Sequence, residues 1–220
     1  MATQLDTLVQ IVGQDKKEEV VRICTEQNFA EAVSYAYDNV ISVDPEKLSA
    51  AEHAVGAHDK ESDYYKLFID EFNMKEHFSQ VCSHRKFVKK AFFRVQKFLD
   101  HMTAEDAERH DLTKFTLAQG VGYTARWVHG MDNACWKKAL QHHYDHEPHH
   151  PQYFPDGKME ARYLEESLVD MIGSRWERNL NGAEEASNQD LVDFNPVYLS
   201  RYCPEDLEKV KALIEKIKQG

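Results

Sequence analysis

The stretch HRKFVKKAFFRVQKFLDHM, residues 84–102, decides how the rest of the chain is read. Its apolar positions Val88, Ala91, Val95, Leu99 and Met102 recur at steps of three and four, the spacing that lines one face of an α-helix, and no alternation of period two competes with it. His84 falls on the centre of that stripe. An imidazole on an apolar face is more often a hydrogen-bonded core residue than a metal ligand, so His84 alone means little.

Working outward, the same pattern recurs. Over 132–146, Trp136, Ala139, Leu140 and His143 lie at i, i+3, i+4 and i+7, which turns His143 inward and leaves His142 and His146 nearer the flank. Over 159–172, Met159, Tyr163, Glu166 and Asp170 share one face. A further helix is expected to begin near Asp111. Between the last two helices, 147–158 holds Pro148, Pro151, Pro155 and Gly157 and must be a loop, carrying His149 and His150. Imidazoles and carboxylates from separate helices thus point to a common interior, and neutral imidazole with carboxylate is the donor set of zinc, iron and manganese.

Elsewhere the reading is also helical. Asp44-Pro45-Glu46 is a helix start, because Asp caps free amides and Pro costs nothing at the first helical position. Residues 4–75 read as a series of short acidic helices. After a break at Asn181-Gly182 and a polar stretch, a terminal helix from Pro204 carries Leu207, Val210, Leu213, Ile214 and Ile217 as a docking stripe. The expected organisation is an acidic helical extension (1–78), a metal-binding core (79–180), and a tail with its docking helix (181–220), all of it all-α. Gly120-Val121-Gly122 is not a dinucleotide loop, because no strand precedes it.

Composition narrows the partners. The formal charge is -11, from 27 basic and 38 acidic side chains, which disfavours binding of a nucleic-acid backbone or an anionic membrane. Residues 1–80 hold seven of the basic and sixteen of the acidic groups, so the excess is local. No stretch reaches the roughly 18 apolar residues that a membrane span needs, and the N-terminus has neither the basic nor the apolar part of a secretion signal. Four scattered cysteines (Cys24, Cys82, Cys135, Cys203) with no CxxC pair suit reduced thiols. A cytoplasmic protein is the expectation. The basic run Arg85, Lys86, Lys89, Lys90, Arg94 and Lys97 lies mostly opposite the His84 stripe, which reads as a solvated outer face rather than a substrate lure.

The order His84, then His110-Asp111 within RHDLTKF, then Asp170 resembles the HD-domain superfamily of all-α metalloenzymes, whose doublet is often followed by a lysine as in HDxxK; here that lysine is Lys114. The run ALQHHYDHEPHHPQYF from Ala139, followed by Glu166 and Asp170, is similar to an uncharacterised domain-of-unknown-function family of bacteria and phages, over about residues 80–175. The resemblance implies an HD-like helical bundle in which His84, His110, Asp111 and Asp170 bind one divalent metal. Asp111 would bridge to a second ion that His143 and one of His149 or His150 complete, the ions being iron, manganese or zinc. It also implies a phosphohydrolase in which a metal-bound water attacks phosphorus and Lys114 polarises the phosphoryl oxygens. Glu166, one turn before Asp170, would orient a ligand or act as general base. A small anionic substrate such as a nucleotide follows from that reading. The same ligand pattern also serves di-iron oxygenases that cleave C–C or C–P bonds, and a non-catalytic metal-binding helical protein is the third alternative. His53, His58, His77, His101 and His129 are expected to play no part in metal content. The oligomeric state is not legible in the sequence.

Overall fold

The computed structural model describes residues 4–220, and among them every regular element is helical. The chain runs through α1 (Gln4–Val12), α2 (Lys17–Glu26), α3 (Phe29–Ala36), α4 (Pro45–Gly56), α5 (Asp63–Tyr65), α6 (Met74–Val95) and α7 (Ala104–Arg109). It continues through α8 (Leu117–Trp127), α9 (Ala134–His146), α10 (Ala161–Arg178), α11 (Asn188–Val192), α12 (Pro196–Leu199) and α13 (Pro204–Gln219). No described helix is long and apolar enough to cross a membrane.

These helices form two compact units, each assembled from two separate stretches of chain. The first comprises residues 1–79 and 113–143, and the second residues 80–112 and 144–220. In the first unit, Leu8, Val33, Phe68, Phe72 and Met74 are buried together with Leu117 and Val121 of α8. Asp44 caps α4 as its sequence predicts, its carboxylate accepting from the amides of Glu46 and Lys47, a contribution of about 1 kcal/mol. Helices α8 and α9 meet where a Cβ on Gly122 would stand 2.5 Å from the carbonyl oxygen of Cys135, so a side chain there would force them apart.

The second unit buries Val88, Ala91 and Val95 of α6 against Leu168 and Ile172 of α10 and Val210, Ile214 and Ile217 of α13. The docking stripe read from Pro204 onward is the face that α13 buries. The span of α6 differs from expectation: the helix starts at Met74 and ends at Val95, and a 3-10 turn over Gln96–Phe98 leads into an extended Leu99. The reason lies 63–65 residues away, where Glu165 accepts the amides of Asp100, His101 and Met102 at 3.0, 2.8 and 2.7 Å. Three hydrogen bonds to one buried carboxylate outweigh the extra helical turn. Helix α10 likewise runs six residues past 172, to Arg178. No helix begins at Asp111. Helix α7 stops at Arg109, and a 3-10 turn over Leu112–Phe115 precedes α8.

Nor is the basic run merely solvated. Lys89 pairs with Glu108, Lys90 with Glu184, and Arg94 donates to the Asn188 side chain and the Ala186 carbonyl. These cations fasten α6 to neighbouring elements of its own unit.

Candidate metal centre

Four pieces of the second unit build the site, and each is fixed by local chemistry before any ligand is considered. Helix α6 presents His84. Helix α7 opens with a capping box between Thr103 and Asp106, and the Asp106 carboxylate is also paired with Arg162 of α10. At its other end Arg85 donates from Nε to the His110 carbonyl at 2.8 Å and from Nη2 to the Glu108 carbonyl, so the end of α7 is tied to α6. There the chain reverses through Asp111, at φ +59°. Asp is one of the few side chains that tolerate this left-handed conformation. The third piece, α10, carries Glu166, Asp170 and Glu177, spaced at i, i+4 and i+11 on one face. A Cβ on Gly173, in the middle of that face, would lie 2.9 Å from the Cα and N of Val88, so the bare glycine sets how closely α10 approaches α6. The loop after α9 supplies Glu147, His149 and His150.

The imidazoles are arranged alike. His84 points Nε2 at Asp170 Oδ1 (3.1 Å) and Asp111 Oδ2 (3.4 Å), with Nδ1 3.7 Å from Glu177 Oε2. His110 points Nε2 at Asp111 Oδ2 (3.5 Å) and Asp170 Oδ1 (3.7 Å), with Nδ1 3.0 Å from Glu166 Oε1. His149 points Nε2 at the other oxygen of Asp111, Oδ1, at 3.7 Å, with Nδ1 3.5 Å from Glu166 and 3.7 Å from Glu147. In each case Nε2 faces the aspartates and Nδ1 faces a glutamate. That is how protein carboxylates orient metal-binding imidazoles, since a proton held on Nδ1 leaves the Nε2 lone pair for the ion.

Of these groups Asp170 and Glu177 are 14% and 18% exposed at their side chains, and the others are buried. Burial alone would lower the pKa of His84, but its contacts with Asp170 and Glu177 and the charge of Asp111 raise it instead. His110 is likewise pushed down by burial and raised well above the ordinary value by Asp111, Asp170 and Glu166. Asp170, which burial would raise, is held well below the carboxylate range by His110 and His84. Burial and the charges of His110 and His150 drive His149 well below the imidazole range, so it is neutral. The rings of His110 and His149 lie 4.4 Å apart, too close for both to carry charge.

A divalent ion fits this donor set. Ligands bound about 2.0–2.2 Å from one ion stand about 2.8–3.6 Å from each other, and the four contacts that His84 and His110 make with the two aspartates span 3.1 to 3.7 Å. His110 Nε2 is buried with no hydrogen-bond partner. His84, His110 and Asp111, and likewise His110, His149 and Asp170, each bring three ligand atoms within 4.8 Å of one another. These groupings could hold a metal ion, of which protons on the imidazoles take the electrostatic place.

Of the residues singled out from the sequence, the second unit thus brings together His84, His110, Asp111, His149, Glu166 and Asp170. His150 is turned differently, its Nδ1 3.3 Å from Arg201 Nη2 and its ring 4.3 Å from that of His149. His143 and Lys114 belong to the first unit. There His143 Nδ1 lies 3.1 Å from Gln119 Oε1, and Lys114 Nζ stands 5.3 Å from the centre of the Tyr123 ring. Sequence reasoning missed Glu177, which lay beyond the expected end of α10 although it continues the Glu166–Asp170 face. It also missed Glu147, inside the histidine run, and Arg201, which no pattern marks.

No curated protein and no solved structure matches the chain. A family model described as "Family of unknown function (DUF5662)" does match, over residues 73–215, a longer span than the resemblance suggested. That span takes in every residue of the cluster, and the chain is a member of the DUF5662 family.

Proposed function

We propose that this chain is a metal-dependent phosphohydrolase of HD type, acting on a nucleotide or another small phosphorylated compound. One observation carries the reading: three imidazoles turn Nε2 to the aspartates and Nδ1 to a glutamate, and Asp111 divides its oxygens between them. On this reading His84, His110, Asp111 and Asp170 would hold one ion, and His149 and Glu147, on the other side of Asp111, would serve a second. Bound there, iron, manganese or zinc would supply a water nucleophilic near neutral pH and polarise the phosphoryl oxygens. Glu166 accepts the Nδ1 proton of His110 and so holds the ring in its ligating tautomer, a role that fits its geometry better than that of general base.

The test uses protein purified without an affinity tag. Iron, manganese and zinc are counted per chain, and a panel of phosphate esters is then assayed with and without oxygen. Phosphate release under anaerobic conditions is expected. Turnover that strictly requires oxygen would overturn hydrolysis in favour of a di-iron oxygenase, and a fully loaded protein inert to the whole panel would favour a binding role.

A further inference from the structure

Arg201 follows α12 in a turn and is half-buried in the second unit. Its Nη2 donates to His150 Nδ1 at 3.3 Å and to Ser167 Oγ at 3.2 Å. Both hydrogens of that nitrogen are therefore used, and both acceptors are uncharged atoms. Nε is buried with no hydrogen-bond partner, and Nη1 has no protein acceptor among the described residues. Arg162 of the same unit shows the contrast, since it is paired with Asp106. A guanidinium taken this far out of water without a carboxylate is costly unless an anion completes it.

The hydrogen-bond directions around Arg201 are fixed from their ends. Arginine can only donate and the thioether of Met171 can only accept. Tyr202 donates to Met171 Sδ at 3.3 Å, so in its 2.8 Å contact with Ser167 it is the acceptor, and Ser167 in turn accepts from Arg201. The chain from Arg201 through Ser167 and Tyr202 to Met171 thus runs one way and holds the guanidinium in a set plane. Ser167 lies between Glu166 and Asp170 on α10, and the His150 ring bridges from Arg201 to His149. The arginine therefore stands one side chain away from the proposed metal ligands.

We infer that Arg201 is the substrate-anion residue of this site, binding the phosphoryl group through Nε and Nη1 while His150 and Ser167 hold it in place. The inference rests on the metal-centre reading above. A phosphoryl dianion has enough oxygens for ions and guanidinium to share, and the planar fork of arginine suits it better than the point charge of lysine. It also divides the loop histidines between two roles: His150, whose Nδ1 accepts from a cation, supports the arginine, and His149, whose Nε2 faces Asp111, supports the metal.

The experiment titrates inorganic phosphate, with acetate in parallel, into the Mn²⁺-loaded full chain by calorimetry, for wild type, Arg201→Gln, Arg201→Lys and Ser167→Ala. Arg201→Gln is expected to weaken phosphate binding at least tenfold with metal content unchanged. Arg201→Lys should recover only part of the loss, and Ser167→Ala, which keeps the charge but removes one of its two supports, should weaken phosphate binding less than Arg201→Gln does. Where an ester is hydrolysed, Arg201→Gln should raise KM more than it lowers kcat. Equal phosphate binding by wild type and Arg201→Gln would overturn the assignment, as would acetate binding as tightly as phosphate. Arginine-dependent phosphate binding in a protein that hydrolyses nothing would leave the anion site standing and remove the phosphohydrolase reading instead.

Discussion

His110 Nδ1 stands 3.0 Å from Glu166 Oε1, and that one hydrogen bond fixes which nitrogen of the ring faces the aspartates. Carboxylates in this position are commonly worth 10–100-fold in metal affinity. Glu166→Ala is expected to weaken metal binding by about that factor, whereas Glu166→Gln, which keeps an acceptor oxygen, should lose much less. Competitive titration against a chelating dye measures both. Equal losses would mean that charge rather than orientation is the contribution of Glu166.

Asp111 turns its two oxygens towards different imidazoles from a backbone at φ +59°. Asn tolerates that backbone and Ala does not, so Asp111→Asn is the cleaner variant: the fold should persist while bound metal falls further than for any other single change. Asp111→Ala should lose metal equally and about 1–2 kcal/mol of stability besides. His129→Ala is the control, since its Nε2 contacts the Phe72 carbonyl at 2.8 Å within the first unit. Metal analysis together with thermal melts separates the three, and loss of metal from His129→Ala would discredit the ligand assignment.

Stability should depend on pH in opposite ways with and without metal. In the metal-free protein His84 and His110 are raised and Asp170 is lowered. The histidine contribution is complete below the unfolded imidazole value, about 6.5, and is lost as pH rises through the raised folded values. The Asp170 contribution is present above its unfolded value and is lost only as pH falls through the lowered one. A metal ion needs those imidazoles deprotonated, so the rise in Tm on adding metal should grow from about pH 6 to about pH 9. Melts at several pH values, each with metal and with chelator, would show it; a constant or shrinking increment would contradict the assignment.

Gly173→Ala tests the approach of α10 to α6. At an exposed helix position this change typically gains about 1 kcal/mol. Here the new Cβ would meet the Val88 backbone at 2.9 Å, and overpacking of this kind costs about 1–3 kcal/mol. A lower Tm without metal is expected, with weaker metal binding as a consequence, because Glu166, Asp170 and Glu177 all ride on α10. An unchanged or raised Tm would show that the helices have slack.

The sequence carried the helical architecture because amphipathic spacing is local: His84 and Asp170 could be placed on inward faces from their neighbours alone. The His110-Asp111 doublet could not. It sits in a turn rather than a helix, so periodicity assigned it no face. What escaped the reading depends on distant partners. The exit of the chain from α6 is set by Glu165, the anchoring of the basic run by Glu108, Glu184 and the Ala186–Asn188 segment, and the importance of Arg201 by Ser167 and His150. Glu177 was missed for a simpler reason, since a helix taken to end at 172 has no position 177.

The interleaving of the two units bears on how the protein can be cut. The family match spans 73–215, yet Leu117, Val121 and Ala125 within that span share their core with Leu8, Val33 and Phe68. At the other end Ile217, fully buried against α6 and α10, lies just outside it. A fragment trimmed to the matched residues would strip the apolar face of α8 and remove the last turn of α13, so it should aggregate rather than fold. The span that relatives share is thus shorter than the span that folds, and deletion mapping should find residues 4–72 indispensable to solubility even though every proposed ligand lies beyond them.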